Sequence, residues 1–171
     1  AMLAQTKPAQ AQVLDLLKLI RPWTMRTHQK VRVGNAYDGG YVLPTTILAC
    51  DAVVSIGVGH DVSFDYVLAE RGADILQYDH TVQGPPQQHA RFRFHPLGWG
   101  TRTEGQFIGF DDIHAQMKAL DAKHPMLKFD IEGAEYDVLA ATRVEDLADY
   151  EIIACEVHDF DKLGDPVFFA K

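Results

Sequence analysis

Residues 53–80 read VVSIGVGHDVSFDYVLAERGADILQYDH. The stretch opens on apolar residues, bends through Gly57 and Gly59, continues at helical spacing, and closes on a second apolar run that ends at Asp79. Strand, glycine elbow, helix, strand and terminal acid form a βαβ unit of the kind that holds a nucleotide-like ligand. Glycine directly after a strand lets the backbone turn sharply and removes the Cβ that would keep a ligand at a distance. Asp79 stands 22 residues beyond Gly57, which puts a carboxylate where it can accept hydrogen bonds from both hydroxyls of a ribose. Asp61 or Ser63 is the expected cap of the intervening helix. The plain alternative is a glycine turn with no ligand.

Outward from this unit the alternation continues. Val13, Leu16, Leu17 and Ile20 predict an amphipathic helix over 9–20, stopped soon after by Pro22. KVRVG and YVLP read as short strands around the turn NAYDGG. Further strands are expected at 52–56, 75–78, 91–95, 126–131 and 151–157, with helices at 64–71, 112–122 and 134–141. Strands that are apolar on both faces and separated by helices imply a parallel sheet covered on both sides. The expected fold class is therefore α/β, a doubly wound Rossmann-like sheet. Residues 1–30 read as a helical extension and 31–171 as the Rossmann-like domain.

Composition narrows the function classes. The chain has 171 residues, 16 Lys plus Arg against 24 Asp plus Glu, and a formal net charge of −8. An acidic chain is poorly suited to nucleic acid, whose phosphates need a basic face. No apolar run approaches the ~20 residues of a membrane span, and no charged-then-apolar leader opens the sequence. Ala1 ahead of Met2 reads as a cloning remnant. A cytoplasmic protein is expected. The two cysteines, Cys50 and Cys155, lie beside apolar runs and read as buried reduced thiols; a disulfide or a nucleophilic thiol is the alternative.

The elbow GVGHDV carries Val62 where a dinucleotide fingerprint carries its third glycine. A pyrophosphate needs that close helix start, whereas a donor without phosphates does not. The elbow with its terminal acid therefore favours S-adenosylmethionine over NAD.

Two further stretches carry charge at strand ends. In LKFDIEGAEYDVL, Asp130 and Glu132 are two residues apart and are expected to share one strand face at the sheet edge that holds the elbow. In EIIACEVHDF, Glu156 and His158 repeat that spacing. Carboxylates and an imidazole at one edge suit a divalent ion such as magnesium or manganese, or a general base for a substrate hydroxyl, and the sequence does not separate the two. The structural alternatives are Glu132 or Glu135 capping the next helix and His158 serving only the fold. Trp99 reads as a core or surface aromatic rather than an adenine platform.

The ordered motifs RVGNAYDGGYVL, SIGVGHDVSFDYVLAERGADILQYDHT, LKFDIEGAEYDVL and EVHDF resemble those of FkbM-type S-adenosylmethionine-dependent methyltransferases, over about residues 31–160. The resemblance implies a class I methyltransferase sheet of about seven strands, and a methyl transfer to a hydroxyl of a small molecule or glycan. It implies donor binding around Gly57, Gly59 and Asp79, with Asp38 and the Gly39–Gly40 turn closing over the donor. Asp130, Glu132 and His158 are the expected catalytic residues. Only eleven residues follow Phe160, so the C-terminal strands of that sheet are expected to be missing. A sheet edge left open would favour pairing with another copy. The competing functions are a non-catalytic domain that binds the donor or a partner, and an NAD-dependent oxidoreductase.

Overall fold

A computed structural model describes residues 7–169. Helix α1 (Lys7–Leu19) leads into an antiparallel hairpin of β1 (Lys30–Val33) and β2 (Tyr41–Pro44). Then follow β3 (Ala52–Ile56), α2 (Ser63–Glu70), β4 (Asp74–Tyr78) and β5 (Phe92–His95). Two short strands, β6 (Gly98–Trp99) and β7 (Phe107–Ile108), pair with each other ahead of α3 (Phe110–Lys118). The chain continues through β8 (Pro125–Phe129), α4 (Glu135–Ala141), α5 (Val144–Leu147), β9 (Ile152–Cys155) and α6 (Pro166–Phe169).

The fold is α/β, with a five-stranded parallel sheet of order β5-β4-β3-β8-β9. The chain runs outward from β3 through β4 to β5, then returns to the other side of β3 for β8 and β9. Strand order therefore reverses between β3 and β8, and the carboxyl ends of those two strands frame the crevice where such sheets bind ligands.

Alternation along each strand divides the core into two layers. Val54, Ile56, Leu76, Tyr78, Leu127 and Phe129 pack in one cluster with Trp99 and with Phe110, Ile113 and Met117 of α3. Val53, Ile75, Met126 and Ala154 pack in the other with Phe64 and Leu68 of α2, Val33 of the hairpin and Ile47. All of β3 and β8 is buried, as expected of central parallel strands covered on both faces.

Several expectations are corrected in detail. The strand expected over 126–131 ends at Phe129, and the last strand stops at Cys155 rather than 157. The Ile131 and Gly133 amides turn away to the Glu135 carboxylate, and Glu132 adopts a positive φ of 56°. Asp130 and Glu132 therefore do not share a strand face. Cys155 is exposed, because β9 is an edge strand of which Ala154 alone is buried, whereas Cys50 is buried as expected. The apolar stripe expected over 9–20 is only partly covered: Val13 and Leu16 are half-buried, while Leu17 and Ile20 are exposed. After β9 the described residues hold a 3-10 turn (Phe160–Gly164) and α6, and no further strand. Among the described residues no helix is long and apolar enough to cross a membrane.

Candidate functional site

The elbow is shaped by its neighbours on both sides. Gly57 has φ +78°, and a Cβ there would overlap the main-chain carbonyl of Asp130 outright. Its amide donates to the Tyr78 carbonyl at 2.9 Å, and its own carbonyl accepts from Lys128 Nζ at 2.7 Å. Glycine at 57 thus lets β8 pass close beside the turn. Gly59, with φ +55°, has nothing within 4 Å of its Cβ direction; the open space lies there.

Asp79 is buried and tied to that elbow. One carboxylate oxygen accepts the Val58 and Gly59 amides at 2.9 and 2.8 Å. The other accepts the Thr81 amide and hydroxyl at 2.7 and 2.6 Å. Burial opposes the charge, but the Gly59 amide, the Thr81 hydroxyl and the two remaining amides outweigh it and hold the carboxyl below its usual range. A carboxylate offers about four acceptor positions, and all are used inside the protein.

A cavity of about 680 Å³ opens over this elbow, within the ~300–1,000 Å³ of small-molecule sites. It brings together Asp38, Gly39, Gly57, Gly59, Asp79, Asp130 and Glu132 of the expected residues. Gly40 and His158 do not line it. Gly40 instead packs its α-carbon against the Asn35 carbonyl inside the hairpin turn. That turn is fastened to the start of α2, where the Asn35 amide donates to Ser63 Oγ at 2.9 Å and the Asn35 side chain donates to Asp61. Asp61 also accepts the Ser63 amide at 2.6 Å. Trp99 is a core residue, 3% exposed, that reaches the cavity wall; His60 and His80 also line it.

Beneath the cavity the sheet carries a buried polar row. Gln77, Ser55 and Lys128 are register partners on β4, β3 and β8. Asp65 of α2 covers them and accepts from Gln77 Nε2 at 2.7 Å. Burial raises the Asp65 carboxyl above its ordinary value despite the Lys128 charge and the Gln77 bond. The sequence pattern assigns no role to Asp65, Lys128 or Thr81. The one available signal was a lysine in the middle of an otherwise apolar strand, PMLKF.

At the carboxyl ends of β8 and β9, on the same sheet edge as the cavity, lies a second cluster. Asp130 and Glu156 each follow the last residue of a strand, side by side, because Phe129 pairs with Cys155. Burial first, then the Glu156 charge, raises the Asp130 carboxyl. His158 Nε2 lies 3.6 Å from Asp130 Oδ1 and 3.5 Å from Glu132 Oε2, while its Nδ1 meets Glu135 Oε1 at 2.9 Å. The Glu135 bond, with the neighbouring carboxylates, raises the His158 pKa. Glu135 accepts the Ile131 and Gly133 amides as well, so it does serve the start of α4. Tyr41 of the hairpin donates to Glu156 Oε1 at 2.8 Å.

Comparison of the chain with protein-family models, with curated proteins and with solved structures finds no match.

Proposed function

We propose that this chain binds S-adenosylmethionine in the crevice between β3 and β8 and transfers its methyl group to a hydroxyl of a small molecule or glycan, as a Rossmann-like methyltransferase of the FkbM type. One observation carries the reading: a single cavity at the strand-order reversal joins the Gly57–Gly59 elbow, Asp79 and the Asp130 edge. The open space at Gly59 and the cavity volume suit an adenosyl-sized ligand. The bound donor supplies an activated methyl on a sulfonium, so the protein's task is mainly positioning.

In this reading Gly59 admits the donor, while Gly57 keeps β8 close to the turn. Asp79 orders the elbow, and a ribose diol would share its oxygens with amides already bound. Asp38 and Gly39 border the cavity mouth. Asp130 lines the same cavity and faces the acceptor side. Glu132, 84% exposed at the rim, contacts the acceptor. His158 stands behind Asp130 as a positioning residue.

Calorimetric titration with S-adenosylmethionine and, separately, with NAD tests this. Saturable binding of the first at micromolar concentration, with none of the second, is expected. Binding of NAD without S-adenosylmethionine would reverse the assignment in favour of a nicotinamide-dependent oxidoreductase.

A further inference from the structure

The cluster at the ends of β8 and β9 has more acceptors than donors. Asp130, Glu132, Glu135 and Glu156 surround one imidazole. Lys128, the lysine beside them in the sheet, is committed to the Gly57 carbonyl. Two carboxylate oxygens are buried without a hydrogen-bond partner: Asp130 Oδ1 and Glu135 Oε2. The first faces the His158 ring nitrogen at 3.6 Å. The second belongs to a side chain that is 1% exposed and whose other oxygen, Oε1, meets Nδ1 of the same ring. An unpaired buried carboxylate oxygen is costly, and Asp130 Oδ1 is left so beside the imidazole nitrogen.

We propose that Asp130, Glu156 and His158 form a divalent-cation site. One ligand atom from each lies within 4.8 Å of the others. Metal–ligand bonds of about 2.0–2.2 Å place ligand atoms roughly 3–4.2 Å apart, depending on the angle, so the 3.6 Å between His158 Nε2 and Asp130 Oδ1 already fits one ion. The strand register sets the two carboxylates side by side, and Tyr41 holds one oxygen of Glu156 so that the other is free to ligate. Glu135 takes the Nδ1 side of His158 at 2.9 Å and leaves Nε2 to the ion. A carboxylate behind a ligating imidazole is the usual arrangement that orients the ring and raises its basicity. Two oxygens and one nitrogen suit a borderline-hard ion of the manganese type more than a thiophilic one. Three protein ligands leave positions open to water or to an acceptor oxygen, next to the cavity that Asp130 lines. Glu132 is not in the set, although the sequence pattern paired it with Asp130; it is 84% exposed.

The site stands on this cluster and not on donor binding, so the test omits the donor. The chelator-stripped full chain is titrated with manganese chloride by calorimetry, with the loss of the free-ion electron paramagnetic resonance signal as a second measure. About one ion per chain is expected, with a dissociation constant below about 1 mM, the weak end of carboxylate sites. Glu156→Gln, which keeps the acceptor for Tyr41, and His158→Asn should each weaken binding by about tenfold or more. Glu135→Gln should weaken it by about tenfold, through the ring it orients. Glu132→Gln should stay within about twofold of the parent. At one manganese concentration the melting temperature of the parent should also rise more than that of Glu156→Gln. No saturable binding by the parent overturns the proposal, whatever the variants do. So does a Glu156→Gln chain that binds as the parent does, or a Glu132→Gln chain that loses as much.

Discussion

Asp79→Ala separates a structural role at the elbow from a purely ligand-facing one. In the folded chain the carboxylate accepts four hydrogen bonds: from the Val58, Gly59 and Thr81 amides and from the Thr81 hydroxyl. Val58 is buried in the cavity wall, so its amide would lose its partner and regain the least water of the four donors. An unsatisfied buried donor costs about 1–3 kcal/mol. The other three donors border the cavity and regain water in part, at about 0.5 kcal/mol each. With about 1.5 kcal/mol for Val58, which sits in the cavity wall, the sum is about 3 kcal/mol, which for a chain of this length lowers the melting temperature by roughly 6–12 °C. The sign with pH follows from the depressed carboxyl. A carboxyl whose folded pKa lies below its unfolded value of about 3.9 contributes stability that is full above that value and is lost as pH falls through the folded pKa. Urea denaturation of parent and variant at neutral pH and at successively lower pH should show a gap of about 3 kcal/mol that narrows below about pH 4. Affinity for S-adenosylmethionine should fall with it, since the elbow amides are no longer held. A variant as stable as the parent at neutral pH, or a gap that widens in acid, would refute the account of Asp79 as the anchor of the turn.

Two more outcomes are expected. Gly57→Ala puts a methyl into the Asp130 carbonyl at φ +78° and should cost at least about 4 kcal/mol, whereas Gly59→Ala meets no atom within 4 Å and should cost only the ~1–2 kcal/mol of a left-handed residue; equal losses in thermal melts would contradict the close passage of β8. A thiol titration of the native chain at mildly alkaline pH should count one cysteine, the exposed Cys155, because burial pushes the Cys50 thiol up to about 12 and its Sγ donates to the Ala52 carbonyl at 2.9 Å. Denatured chain should count both, and a native count of two would place Cys50 outside the core.

The layout of the sheet was readable because central parallel strands announce themselves. AVVSI was bounded to the residue, since a run that is apolar on both faces has one structural use between turn signals. The glycine elbow and Asp79 are legible from their place directly after β3 and β4, although the Cβ that Gly57 excludes would meet the Asp130 carbonyl rather than a ligand. Strand ends were legible only to within two residues. Extending β8 to Ile131 followed the alternation of apolar and acidic residues, but the backbone there obeys Glu135, which draws the Ile131 and Gly133 amides off the sheet direction. Pairing Asp130 with Glu132 failed with that extension, and the partner is Glu156 from the adjacent strand. Such a partnership depends on which strands are neighbours, a property no local pattern carries. β6 and β7, two residues each, are too short to show a period. Cys155 looked buried because its segment is apolar, yet edge position, not composition, decides exposure on β9.

The buried row of Gln77, Ser55 and Lys128 explains why the elbow needs three strands rather than one. Burying an ammonium costs several kcal/mol unless its bonds are made, and in β8 an apolar residue would fill the same space without that cost. Lys128 instead reaches across the sheet to the Gly57 carbonyl, while Tyr78 of β4 takes the Gly57 amide. The turn is thereby gripped from both neighbouring strands, at the point where strand order reverses. Register makes this possible: Ser55 pairs with Gln77 on one side and with Lys128 on the other, so a slip of either neighbour by one residue would send its polar side chain into the opposite, apolar layer. The same register sets Asp130 beside Glu156 one residue beyond the last pair. Elbow geometry and the acidic edge are therefore consequences of one alignment of β3, β4, β8 and β9, and a change that shifts β8 should disturb both sites together.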